Sequence, residues 1–206
     1  MIGERKAGAF LVSEIGRSGT DRRTGGDRRL TDAPSASIET GATTDALTGL
    51  YSRSFLELDL RRELARCRRH GVMTSLVLVE LDDFEATTEQ WGPEAGDAAL
   101  RGMADVIRKR VRAADAACRY GADEFAIVLP DTYRSGARLV AERIVEHVRQ
   151  AFIARRVVGC PIALTVSAGV AWYGSTAPTK GTLVDAALRA LSLAQASGGD
   201  RVAEAS

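Results

Sequence analysis

The chain has 206 residues, room for one ordinary domain plus an extension and for a substantial buried core. Its 28 Lys and Arg against 27 Asp and Glu leave a net charge of +1, which argues against a general nucleic-acid coat or a strong trap for acidic substrates. Hydrophobic residues at 45% with 27% charged describe a globular chain, and aromatics at 5% are too sparse for a platform that stacks single-stranded nucleic acid.

Residues 1–40 are rich in Gly, Ser, Thr and Arg and carry the repeats Asp21-Arg22-Arg23 and Asp27-Arg28-Arg29. With so little apolar surface to bury, this stretch reads as a flexible, solvated leader, and residues 41–206 as the folded domain. The opening has only a short apolar stretch around Phe10, too short for a secretory signal core, and no run approaches the ~18 apolar residues of a membrane span. The expectation is a cytoplasmic protein. Cys67, Cys118 and Cys160 are widely spaced and form no C-x-x-C pair, so reduced thiols are expected rather than a disulfide framework or a zinc site.

From Asp45 the pattern becomes regular. Phe55, Leu56, Leu60 and Leu64 recur at helical spacing over Ser52 to His70, with Ser52 or Ser54 as the cap. The arginines crowding that helix's last turns, Arg66, Arg68 and Arg69 among them, suit its dipole and do not mark a nucleic-acid site. Met73 to Leu81 is a buried strand by its Val and Leu content. Pro93 to Arg112 is a helix with Pro93 in its first turn. Ala116–Tyr120 and Phe125–Leu129 form a hairpin across Gly121-Ala122-Asp123-Glu124. A helix over Thr132–Phe152, a strand over Pro161–Tyr173 and a helix over Thr182–Ala196 follow, and Gly198-Gly199 stops that helix before a last strand. The sum is an α/β (α+β) fold, one mixed sheet flanked by helices. His70 and His147 read as surface residues, and Trp91 and Trp172 as packing residues.

Three stretches carry a family resemblance. Asp45-Ala46-Leu47-Thr48-Gly49-Leu50-Tyr51-Ser52-Arg53 resembles D-x-L-T-G-L-x-N-R. Glu80-Leu81-Asp82-Asp83-Phe84, then Trp91-Gly92 and Gly96-Asp97, resembles D-I-D-x-F-K…N-D-x-x-G-H-x-x-G-D. Arg119-Tyr120-Gly121-Ala122-Asp123-Glu124-Phe125 resembles R-Y-G-G-[DE]-E-F. In that order and spacing they look like a GGDEF domain, the module of diguanylate cyclases, over about Asp45 to Val202. The resemblance implies a cyclase-like palm with a mostly antiparallel sheet. It also implies dimers that join two GTP into cyclic di-GMP with two metal ions.

Compared with that pattern, several parts are altered. The resemblance makes Glu80 and Asp123 the metal positions, with Glu in place of Asp at 80 and an extra methylene in a tight Mg²⁺ site. It makes Glu124 the catalytic carboxylate, and Asp97 with Thr88 the guanine readers, Thr standing for Asn. Glu85 replaces Lys, Glu89 an Asp, and Pro93 a His. Ala122 replaces a glycine whose positive φ would put Ala under ~1–2 kcal/mol of strain. Gln195 and Gly199 stand where Lys and Arg hold the triphosphate, and two such contacts at ~1.5–3 kcal/mol each are worth ~10²–10⁴ in rate. These changes imply a vestigial catalytic site, with Mg²⁺ needed only if it works.

Arg112-Ala113-Ala114-Asp115 keeps the family's R-x-x-D product-binding motif at the family's offset before Gly121. Arg offers a fork for phosphate and the guanine edge, Asp accepts from guanine, and Arg138 or Arg143 would add a cation from the same or a neighbouring subunit. An Arg–Asp surface ion pair is the plainer alternative. Three functions follow: a cyclic di-GMP receptor that signals to a protein partner, a weak diguanylate cyclase using GTP, or a dimerising scaffold that binds neither nucleotide.

Overall fold

The structure is a computed structural model and describes residues 43–153, 163–174 and 179–206. The leader over 1–40, Cys160 and the start of the strand expected from Pro161 lie outside the described residues. The elements in chain order are α1 (Arg53–His70), β1 (Thr74–Leu81), α2 (Phe84–Trp91), α3 (Pro93–Arg110), β2 (Ala116–Arg119), β3 (Glu124–Pro130), α4 (Arg134–Ile153), β4 (Val166–Trp172), α5 (Lys180–Ala196) and β5 (Val202–Glu204).

Local chemistry sets the boundaries. Ser52 caps α1 by accepting from the Phe55 amide at 3.3 Å, and Gly71 ends it in the left-handed conformation with its N–H on the Cys67 carbonyl. Arg68, Arg69 and His70 fill its last turn, as the dipole favours. Thr179 and Thr182 form a reciprocal capping box at the start of α5. The sheet runs β2-β3-β1-β4-β5, antiparallel except for the parallel β4–β5 pair.

Alternation along the strands feeds two cores. Val77, Val79 and Leu81 of β1 join Phe125, Ile127 and Leu129 of β3 on the face covered by α3 and α4. Leu76 and Leu78 join Ala126 and Val128 on the face covered by α1 and α5. Glu80 shares the parity of Leu76 and Leu78, which turns it toward the α5 side at the end of the central strand. Cys67 and Cys118 are buried free thiols, pushed up to about 11 and about 12 by burial, hence unreactive.

Two readings of the sequence are corrected. The stretch before Pro93 forms a helix of its own, α2, which starts at Asp83 in a left-handed conformation without any side-chain cap. Trp91, at its end, is 50% exposed and not a core residue. Trp172 lies under the Arg134 guanidinium, 4.8 Å from its ring centroid.

Candidate functional site

The signature turn sits between β2 and β3. The Tyr120 and Gly121 amides both donate to the Glu124 carbonyl, at 2.8 and 3.1 Å. Arg119 closes the turn from outside, donating to the Gly121 carbonyl at 3.2 Å and the Ala122 carbonyl at 2.7 Å. Its remaining nitrogen lies 3.5 Å from the Asp45 carboxylate, which also accepts from the Thr48 amide and hydroxyl at 2.9 and 2.6 Å. Burial alone would raise the Asp45 carboxyl, but these Thr48 bonds and Arg119 outweigh it and hold it below the usual range. The Glu124 carboxylate folds directly over Gly121, so a Cβ there would have to displace the end of that side chain.

Ala122 overturns an expectation. Positive φ at non-glycine positions is confined, among the described residues, to Asp83, Asp131 and Asp200, so Ala122 carries none of the strain argued from the missing second glycine.

The acidic positions gather at the ends of β1 and β3. Glu80 and Glu124 are direct cross-strand partners, an unfavourable like-charge pair. Burial holds Glu80 above the ordinary carboxylate value; the Gln195 amide pulls it back, while Asp123, Glu124 and Asp82 push it up. Burial likewise raises Asp123 and Glu124, the latter further through Asp123 and less through Arg53. Carboxyls with raised folded values stabilise the fold fully below the unfolded value, and that contribution is lost as pH rises through the folded value. At neutral pH the cluster is therefore a liability. Glu124→Gln is expected to melt above the parent at about pH 7, with the gap closing by about pH 4, where the parent's carboxyls regain their protons. A gap that stays constant across that range in a pH-dependent melting series would show that the repulsion is not what destabilises.

Among the described residues, no group of three or more His, Cys, Asp or Glu side chains is placed to hold a metal ion. Were Mg²⁺ to bind at the positions the family pattern gives it, Glu80 and Asp123 would be its protein donors, and an ion that takes one or two carboxylates plus waters and substrate phosphates would fit them only in company with a bound nucleotide. There it would neutralise phosphate charge.

Behind these residues, Glu80, Asp82, Asp83, Thr165, Gln195 and Gly199 line a cavity of about 270 Å³ whose wall contains no Lys or Arg among the described residues, although Arg201 donates to the Gly199 carbonyl at 2.9 Å. Asp82 is not free in it. Its two oxygens accept from the Thr165 and Ser167 hydroxyls, both at 2.7 Å, and from the Asp200 amide at 3.0 Å. Gly199 has φ of 67°, and a Cβ there would come within 3.1–3.3 Å of the Asp82 carboxylate.

On the far side of the signature, Arg112 and Asp115 line a second cavity of about 310 Å³ together with Gly49, Tyr51 and Arg108. The plain Arg–Asp ion pair is not formed. Asp115 instead accepts from the Arg112 backbone amide at 2.7 Å, which fixes the loop and leaves the guanidinium without an ion-pair partner among the described residues.

A family model described as "Diguanylate cyclase, GGDEF domain" matches residues 42–201. The chain belongs to the GGDEF family. It is 34% identical over 158 residues to the diguanylate cyclase DosC of Escherichia coli K12, an alignment covering 77% of this chain and 34% of that protein. The chain thus spans about a third of the length of the DosC relatives it matches. The GGDEF domain of DgcB from Caulobacter crescentus, solved in complex with c-di-GMP, superposes with a TM-score of 0.74 at 30% identity, over 82% of this chain and 98% of that one. The diguanylate cyclase SiaD of Pseudomonas aeruginosa, solved with its activator SiaC, gives 0.73 at 33%, over 80% and 62%.

Within this GGDEF domain the expected guanine readers Thr88 and Asp97 both have partners in the protein. The Thr88 hydroxyl donates to the Phe84 carbonyl of its own helix at 2.9 Å. Asp97 is half-exposed and paired with Arg101 at 3.3 Å. Arg143 is exposed on α4 and does not line the Arg112 cavity, and Arg138 is taken by Glu142 and Glu204 at 2.8 and 3.6 Å. The anchoring role of Asp82, the clamp of Arg119 and the presence of Arg108 in the second cavity were not singled out from sequence. Only the D-x-L-T stretch carried a signal for any of them. No helix of the described residues is long and apolar enough to cross a membrane.

Proposed function

We propose that this GGDEF domain is a cyclic di-GMP receptor: it binds the dinucleotide through Arg112 and Asp115, works as a homodimer and passes the signal to a protein partner. What carries this reading is the Arg112 guanidinium, unpaired among the described residues, beside a preset Asp115 carboxylate in a cavity of about 310 Å³. A free fork beside an acceptor suits phosphate and guanine together. A pocket of that volume is within the usual range for small ligands.

Support for the receptor role over the enzyme comes from the other cavity, where Gln195 holds Glu80 and no Lys or Arg among the described residues lines the wall. A GTP triphosphate would meet carboxylates there instead of clamps. The second reading is a weak diguanylate cyclase that takes Mg²⁺ with GTP. It is favoured by the named activity of relatives such as DosC, by the retained Asp97, Asp123 and Glu124, and by the unstrained backbone at Ala122.

Calorimetric titration with cyclic di-GMP separates these. Saturable binding in the parent that disappears in Arg112→Ala is the expected result, with Glu124→Ala binding as the parent does. GTP turnover that is lost in Glu124→Ala would establish the enzyme instead. No saturable heat with either nucleotide would leave a dimerisation scaffold.

A further inference from the structure

Arg108 occupies a position that no motif of the family pattern covers, yet it forms part of the wall of the Arg112 cavity. It lies in the last turns of α3, whereas Arg112 lies beyond the helix end, past the extended backbone of Val111, and the two side chains line the same cavity. Its guanidinium is fixed from two directions. One terminal nitrogen donates to the Thr48 carbonyl at 2.6 Å and the other to the Asp105 carboxylate at 2.7 Å. A guanidinium carries five donors, so three remain for a ligand.

Tyr51 is the second feature. Its backbone is tied into the sheet by the Tyr51 amide on the Ala117 carbonyl at 3.0 Å and the Arg119 amide on the Tyr51 carbonyl at 2.9 Å. Phe55 stacks on its ring at 3.9 Å and an interplanar angle of 14°, yet the residue remains 38% exposed on the cavity wall. A ring stacked on one face and held at its backbone is a preorganised surface for a second flat group.

We infer that Arg108 and Tyr51 complete the dinucleotide cleft from within one chain, Arg108 gripping a phosphate beside Arg112 and Tyr51 offering its ring to a guanine. The inference rests on the reading of the Arg112 cleft given above and adds to it the residues that make a cation from α4, or from a neighbouring subunit, unnecessary. Asp105, which orients Arg108, is largely exposed, so solvent screens its competition with an incoming phosphate.

The test is calorimetric titration of the full chain with cyclic di-GMP at low and high salt, in the parent, Arg108→Ala, Arg108→Lys, Tyr51→Ala and Arg112→Ala, with thermal melts to confirm folding. Arg108→Ala is expected to weaken binding about tenfold to a hundredfold and to flatten its salt dependence, since a charge-assisted contact is lost. Arg108→Lys recovers part of the affinity by keeping the charge without the fork. Tyr51→Ala weakens binding by about tenfold without altering the salt dependence. Binding that vanishes in Arg112→Ala but is unchanged in Arg108→Ala and Tyr51→Ala overturns this inference and leaves the receptor reading intact. No binding in the parent overturns the receptor reading itself. Should Arg108→Ala fail to fold, Arg108→Lys and Tyr51→Ala decide: parental affinity in both overturns the inference.

Discussion

Asp82→Ala is expected to be about 3–5 kcal/mol less stable than the parent, since it leaves three donors around a largely enclosed carboxylate without their acceptor. For a chain of this length that lowers the melting temperature by roughly 6–20 °C. The three donors come from separate places: Thr165 before β4, Ser167 within it, and the Asp200 amide in the turn between α5 and β5. Ser167 is fully buried and cannot turn to water. Asp200 is itself held by Arg149 of α4 at 2.7 Å, and its other carboxylate oxygen is buried without a partner, so the turn has little reserve once Asp82 is gone. Asp82→Asn keeps one good acceptor and is expected to lose about 1–2 kcal/mol. A thermal melt in which Asp82→Ala unfolds within 2 °C or so of the parent would show that the hydroxyls and the Asp200 amide find other acceptors, and that this anchor does not hold the end of the sheet.

The anchor explains what was legible in the sequence and what was not. The apolar periodicity of α1, the Val-rich run of β1 and the proline at the start of α3 each report a local preference that the fold obeys, and they appear where the pattern puts them. Helix α2 escaped because FEATTEQW has neither a cap nor an apolar stripe. It is held by its junction with β1 and by packing against α3, where the Thr88 side chain lies against Gly96. The acidic residues Glu80 and Glu124 were singled out by motif, but their mutual repulsion depends on the Glu80–Glu124 strand register, a long-range property. Ala122 shows the opposite error. Strain was inferred from residue type, whereas the turn that Arg119 clamps takes no positive φ at that residue. The alternative of an Arg112–Asp115 ion pair is not met, because Asp115 accepts from the Arg112 backbone amide and not from the guanidinium, a distinction spacing cannot make.

The same geometry ranks the substitutions that would restore a phosphate site. Gln195→Lys is expected to raise affinity for GTP by about tenfold to a hundredfold, because it places one cation in a cavity whose wall holds Glu80, Asp82 and Asp83 and, among the described residues, no Lys or Arg. The ammonium would also replace the Gln195 amide as the partner of Glu80 and bring that carboxyl down from its raised value. Ala122→Gly is expected to change GTP affinity and turnover little, since Ala122 has no positive φ to relieve. Gly199→Arg is expected to fail as a restoration: φ is 67° at that residue and the Asp82 carboxylate, already committed to three donors, stands within 3.1–3.3 Å of where a Cβ would be. Equilibrium GTP binding and turnover measured on the three variants test the ranking. Affinity and turnover rising together in Gln195→Lys would mean that only the clamp was missing and favour the weak cyclase. Affinity rising alone would point to Thr88 and Asp97, the residues at the family's guanine-reading positions, where one hydroxyl bonds to its own helix and the carboxylate pairs with Arg101. A larger gain from Ala122→Gly than from Gln195→Lys would overturn the account of the acidic cavity.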